Sequence, residues 1–184
     1  MEIGAATFVV LDVETTGLDP SSDRVCEIGA IKVQQGRELG RYHSLVNPER
    51  PIPAEATRKN NISDAMVKAA PTFSAIAPDL RRFLAGTVLV AQNAEFDLNF
   101  LNAEFARAGA SRLPVSTVDT MALARAARPG LSSYRLDNLA NAFGAKFSAR
   151  HRSIGDCEVT AVVFRECLRL LRTRTVEDLV ARAR

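Results

Sequence analysis

The stretch Phe8-Val9-Val10-Leu11-Asp12-Val13-Glu14-Thr15-Thr16-Gly17 limits the fold more than any other part of the chain. An apolar, β-branched run closed by a Thr-Thr-Gly turn signal predicts a buried strand. Side chains on a strand alternate between faces, so Asp12 and Glu14 share one side with Phe8 and Val10. Val9, Leu11 and Val13 take the other. Two like charges on one greasy face repel, at a cost of about 4 kcal/mol for a separation of ~4 Å and an effective dielectric of ~20. Two oxygen donors at a strand end suit a hard divalent cation. A strand that leaves the core at this point and hydrates both acids fits the same pattern, so the rest of the chain must decide.

The 184-residue chain as a whole has the composition of an ordinary globular domain with one buried core, 47% hydrophobic and 24% charged. No apolar run approaches the ~20 residues that cross a bilayer. The opening Met1-Glu2-Ile3-Gly4 lacks the basic-then-apolar order of a secretory signal. These features predict a cytoplasmic protein with no membrane partner. Cys26, Cys157 and Cys167 form neither a metal-ligand spacing nor an even disulfide set, and read as reduced thiols. A net charge of +3, with 20 of the 24 basic residues Arg, is compatible with a polyanionic partner without requiring one.

Further strands are predicted over 24–33 and 39–46, joined by a Gln35-Gly36 turn, which gives an antiparallel meander of three strands. A proline-rich loop, Asn47-Pro48-Glu49-Arg50-Pro51-Ile52-Pro53, cannot join a central ladder. Two short helical turns follow over 54–70, with Ser63 and Asp64 as start signals. A helix opens at Thr72-Phe73 and runs to 84, with Phe73, Ile76, Leu80 and Phe83 on one face. Short strands at 87–91 and 115–118 then alternate with helices at 94–108, 119–127, 136–143 and 154–171, and a terminal helical piece begins at Val176. The order predicts an α/β fold, a mixed sheet with helices on both faces. Residues 1–172 form one domain, and 173–184 extend it as helix.

Two further acids fall at positions that call for an explanation. Asn93 reads as an N-cap, which puts Asp97 early in the helix it starts, on the face of Leu101, Phe105 and Ala108. A carboxylate on the core side needs a partner, although an acid near a helix N-terminus also complements the dipole. In His151-Arg152-Ser153-Ile154-Gly155-Asp156, Ser153 and Asp156 have the spacing of a capping box, which would explain Asp156 structurally. His43 lies mid-strand with no acid nearby in sequence and draws no role.

Asp12-x-Glu14-Thr15-Thr16-Gly17, Asn93-Ala94-x-Phe96-Asp97 and His151-Arg152-Ser153-x-x-Asp156 together resemble the three motifs of the DEDDh nucleases. That family includes the proofreading epsilon subunits of bacterial replicative DNA polymerases. Glu27-Ile28-Gly29-Ala30, Asn47-Pro48, Asp119-Thr120 and Tyr134-x-Leu136-x-x-Leu139 support the likeness, which runs from about Thr7 to Leu171. The resemblance implies a ribonuclease-H-like fold and a metal-dependent 3′–5′ exonuclease. Such an enzyme hydrolyses phosphodiesters of nucleic acid, most simply DNA, and releases nucleoside 5′-monophosphates. It implies that Asp12, Glu14, Asp97 and Asp156 hold two Mg²⁺ or Mn²⁺ ions, an arrangement suited to in-line phosphoryl displacement. Asp12 would bridge the ions, Glu14 and Asp156 would complete one, and Asp97 would support the second. His151, on the loop before Asp156, would take the proton of the attacking water, a task suited to an imidazole of pKa ~6.5.

The same resemblance assigns Thr15, Thr16, Leu18, Asn60 and Asn93 to the substrate, a free 3′ end that is single-stranded or frayed, and a DNA polymerase as partner in replication, proofreading or repair. Asn60-Asn61 departs from the family's His-Gly, and Gln92 stands where relatives often have His. An Asn hydrogen-bonds but neither stacks nor titrates like an imidazole. Arg125, Arg128, Arg135, Arg150 and Arg152 surround the later motifs and are candidates to track phosphates. Two other readings remain. The Asp12-x-Glu14 pair is faintly similar to an Asp-x-Asp phosphatase motif, which leaves Asn93, Asp97 and His151 idle. A nuclease-like domain that binds nucleic acid or a polymerase without cutting leaves the acid cluster without a use.

Overall fold

A computed structural model describes residues 1–183; the expected extension at residue 184 lies outside the described residues. Five strands form one sheet in the order β3-β2-β1-β4-β5. They are β1 (Phe8–Thr15), β2 (Val25–Gln34), β3 (Arg37–Leu45), β4 (Val88–Ala91) and β5 (Thr117–Asp119). The first three form the expected meander. Gln34 pairs with Arg37 across a two-residue turn in which Gln35 and Gly36 both have positive φ, the geometry a tight hairpin demands. β4 runs parallel to β1, and β5 parallel to β4. β5 starts two residues later than predicted, because the pairing of Leu89–Ala91 with Thr117–Asp119 sets its bounds rather than the apolar pattern.

The helices are α1 (Ala54–Asn60), α2 (Asp64–Val67), α3 (Phe73–Leu84), α4 (Ala94–Arg107), α5 (Thr120–Ala127), α6 (Leu136–Phe143), α7 (Ser153–Leu171) and α8 (Val176–Arg182). They cover both faces of the sheet. Phe8 and Val10 of β1 pack with side chains of α5, α6, α7 and α8. Val9, Leu11 and Val13 pack with α3 and α4 on the other face. The alternation read from the strand sequence is therefore the partition of the core. A smaller cluster, Cys26, Ile52, Ile62 and Val67, seats α1 and α2 against β2. All three cysteines are buried and unbridged. Among the described residues no helix is long and apolar enough to cross a membrane.

Glu2 bridges Thr175, and the Met1 ammonium lies 2.7 Å from Glu177, so the first and last turns clasp each other. The 3-10 turn at Ile3–Ala5 that leads into β1 carries no signal read from the sequence.

Two features place the functional end of the molecule. β1 pairs with β4 only through Val10, so its last residues project past their parallel neighbour. The start of α7 lies directly on β2 at Gly29, where a Cβ would come within 2.6 Å of the Ser153 carbonyl carbon. Glycine is the residue that this approach admits. Replacement Gly29→Ala is expected to destabilise the fold by about 1–3 kcal/mol, the usual range for an overpacked core. Urea denaturation would show it, with Gly40→Ala as the control, since a Cβ on Gly40 meets nothing within 4 Å.

Candidate active site

The projecting end of β1 carries Asp12, opposite Gly29 on β2, and Glu14, opposite Glu27. Because Gly29 lets α7 sit down on β2, Asp156 in the first turn of α7 arrives over the same strand end. Carboxylate oxygens of Asp12, Glu14 and Asp156 lie within 4.8 Å of one another. Asp97 comes from α4. Its Oδ1 accepts a 3.0 Å hydrogen bond from the Val13 backbone N–H, beyond the last β1–β4 pair. It lines the same cleft of about 250 Å³ as the other three and stands outside their tight group. The structure thus gathers all four predicted acids, three with oxygens within 4.8 Å of one another and one stitched to the strand between them.

Burial first, and then repulsion from Asp97, Glu14 and Asp156, hold the Asp12 carboxyl well above the ordinary carboxylate range. Burial and the neighbouring Asp156 push Glu14 up to about 7. Burial raises Asp97 to about 8 despite the Val13 N–H. Asp156 rises to about 6 through burial, opposed by the Arg150 guanidinium, which lies 2.5 Å from its Oδ2. Two buried oxygens, Asp12 Oδ2 and Asp156 Oδ1, have no hydrogen-bond partner. An all-carboxylate donor set with orphaned oxygens is the ligand chemistry of a hard divalent cation, and Mg²⁺ or Mn²⁺ fits it.

His151 lines this cleft, half-buried, with φ of +58°. Burial and then Arg150 lower its pKa below the ordinary 6.5. Its loop is tied at both sides. Arg150 pairs with Asp137 at 2.6 Å as well as with Asp156. Arg152 pairs with Glu27 at 2.5 Å, and Glu27 also accepts from the Ser153 N–H at 2.9 Å and lies 2.9 Å from His43 Nε2. Burial alone would raise the Glu27 pKa, but the Arg152, Ser153 and His43 hydrogen bonds bring it below the usual value. Sequence reasoning gave Glu27 and His43 no role. The available signal was a lone acid inside the apolar run of β2, two residues from Gly29.

Other expectations change in detail. Asn93 occupies the N-cap of α4, but with φ of +62° its side chain caps nothing and stays exposed. The Ala94 N–H donates to Asp119 instead, at 3.3 Å. Gln92 rather than Asn93 faces the cleft, held by Thr120 and the Tyr134 carbonyl. The Ser153–Asp156 capping box does not form. Ser153 is already helical with its hydroxyl unpartnered, which frees Asp156 for the cleft. Thr15, Thr16, Leu18 and Asn60 line a second cavity of about 490 Å³ that adjoins the first at Glu14 and Lys59. Leu18 is 76% exposed on its rim. Asn60 is buried, accepting from the Ile62 N–H and donating to the Thr15 carbonyl, so it braces the wall of that cavity. Of the five arginines expected to track phosphates, Arg150 and Arg152 are held by acids. Arg125 and Arg128 stack over Tyr134 and Phe143.

A cluster of acids at the end of the central strand of a mixed sheet, beside a histidine loop and a nucleotide-sized cavity, defines a metal-dependent phosphodiesterase type of site. The exonuclease family model of ribonuclease T type matches residues 9–164, and the chain belongs to that family. It is 43% identical over 159 residues to DNA polymerase III subunit epsilon of Treponema pallidum, covering 85% of this chain and 74% of that protein. It is 36% identical over 166 residues to the 3′-5′ exonuclease DinG of Bacillus subtilis, covering 90% of this chain but 18% of that protein. Among solved structures, exonuclease X in complex with 5′ overhanging duplex DNA superposes with a TM-score of 0.78 at 26% identity, over 96% of this chain and 99% of that one.

Acids with raised pKa values bind protons more readily folded than unfolded, so in EDTA their contribution to stability falls as pH rises. The window spans the ordinary carboxylate values up to about 8, where Asp97 ionises. Bound cation reverses this penalty. Melting curves should show Mg²⁺ or Mn²⁺ raising Tm more at pH 8 than at pH 5.5, and Asp12→Asn should abolish most of the rise. Replacement Glu27→Ala leaves a buried N–H and an unpaired guanidinium, with an expected loss of about 3 kcal/mol in urea denaturation.

Proposed function

We propose that the chain is a divalent-metal-dependent 3′–5′ exonuclease that removes nucleoside 5′-monophosphates from a free, single-stranded or frayed 3′ end of DNA. The convergence of Asp12, Glu14 and Asp156, with oxygens within 4.8 Å of one another and two of them unpartnered, carries this reading. Likeness to the Treponema pallidum epsilon subunit supports a place beside a DNA polymerase, in proofreading. Likeness to exonuclease X, solved with 5′ overhanging duplex DNA, supports DNA as the substrate.

Asp12, Glu14, Asp97 and Asp156 would hold two Mg²⁺ or Mn²⁺ ions. When bound, these supply positive charge and Lewis acidity to the nucleophile, the phosphate and the leaving oxygen. The chain's own residues do the rest. Thr15, Thr16 and Leu18 receive the terminal nucleoside in the 490 Å³ cavity, within the ~300–1,000 Å³ of small-ligand sites. Asn60 keeps the Thr15 end of that wall in place. A ring nitrogen of His151 takes the proton of the attacking water. Its lowered pKa leaves the imidazole neutral, and so able to accept, to more acidic pH than an ordinary histidine.

A 3′-end-labelled strand would lose its label first, and a 5′-labelled strand would give a ladder shortened from the 3′ end, with Mg²⁺ present and not with EDTA. Asp12→Ala and Asp156→Ala should abolish cleavage. His151→Ala should lower turnover by ~10²–10⁴ while the cation-induced rise in Tm persists. The acid limb of the pH–rate profile should have its midpoint below 6.5 and vanish in His151→Ala. Full activity of His151→Ala would exclude it as the base.

A further inference from the structure

The acid cleft presents four carboxylates to a substrate that carries a negative charge at every nucleotide. Cations on its wall therefore matter. Arg150 is engaged by Asp137 and Asp156. Lys59, in the last turn of α1, and Arg135, the N-cap residue of α6, also line the cleft. Both are exposed, and among the described residues the ion pairs around the cleft are made by Arg150 and Arg152 rather than by either of them. Their positions differ in one respect. Lys59 borders both cavities, sharing with Glu14 the seam between the acids and the Thr15–Leu18 pocket, whereas Arg135 borders the acid cleft alone.

Building on the exonuclease reading, we propose that Lys59 and Arg135 form a two-point phosphate clamp. A 3′-terminal nucleoside seated in the larger cavity leaves its 5′-phosphate at the seam, next to the acids, where the Lys59 ammonium is the uncommitted cation. The next phosphate toward the 5′ side lies farther along the acid cleft and away from the nucleoside pocket, where Arg135 stands. Arginine suits that position because its planar fork grips a phosphate with two N–H donors, while a lysine serves as a point charge. The two cations also account for how a cleft rich in acid draws in a polyanion. Each offsets one phosphate, and neither must first be released from an intramolecular partner.

The experiment uses Lys59→Ala, Arg135→Ala and, as control, Arg58→Ala, an exposed residue of α1 that borders neither cavity. Two substrates separate the two contacts: an oligothymidylate, and the p-nitrophenyl ester of thymidine 5′-monophosphate, which has one phosphate. Lys59→Ala should lower kcat/KM about tenfold on both, and Arg135→Ala about tenfold on the oligonucleotide with less than twofold change on the ester. Each variant should bind the oligonucleotide more weakly in EDTA by fluorescence anisotropy, with a salt slope shallower by ~0.7 for each lost contact. Arg58→Ala should match wild type throughout. Wild-type binding and wild-type salt slopes in both variants, with unchanged Tm, would overturn the clamp. Equal losses on both substrates in Arg135→Ala would overturn its assignment to the second phosphate. Wild type that binds the oligonucleotide but cuts neither substrate would overturn the exonuclease reading, and the anisotropy slopes would still decide the clamp.

Discussion

Four carboxylates held together in a largely apolar cleft repel one another, and the rest of the fold is arranged to withstand that repulsion. Each is buried enough for its charged form to be disfavoured, Asp12 and Asp97 most of all. No single local preference would assemble them. They are brought together by β1, which is packed on both faces by separate apolar clusters, and by the two helices that those clusters anchor. Asp97 is tied to the backbone of the strand carrying two of its rivals, and Arg150 partly neutralises the fourth acid. A site built in this way is preorganised for cations, because the protein has already met the cost of gathering the ligands before any ion arrives.

The histidine loop is held differently. The acids sit on a strand and two helices, whereas His151 sits in a left-handed turn between two ion-paired arginines. Glu27 anchors one end of this loop from inside the sheet, and Asp137 braces the other from α6. The acids are thus positioned by packing, while the His151 loop is held by ion pairs. Arg150 joins the two parts, since it pairs with Asp156 and also lowers the His151 pKa.

Much of the sheet was legible in the sequence because β1 alternates cleanly between faces and the Gln35-Gly36 turn fixes the hairpin. Periodicity pointed Asp12, Glu14 and Asp97 into the core, but each also had a structural explanation, and only the three motifs taken together singled out all four acids. What the sequence hid was the long-range bookkeeping of polar groups. Asp156 looked fully explained by a capping box, and only the helix starting at Ser153 removes that explanation. Asn93 looked like a cap, yet its positive φ turns the side chain to solvent and gives the capping role to Asp119. Glu27 is 125 residues from Arg152, so no local window joins them. The same blindness made Arg150 and Arg152 look free for substrate, when each is already held by an acid.

The clasp between the two ends of the fold has a consequence for local opening. The Ile3 N–H donates to the Arg174 carbonyl and the Val176 N–H to that of Met1, so the segment ahead of β1 is zipped to the one ahead of α8. Opening of either segment frees the other, so fraying of the first turn and of α8 is coupled.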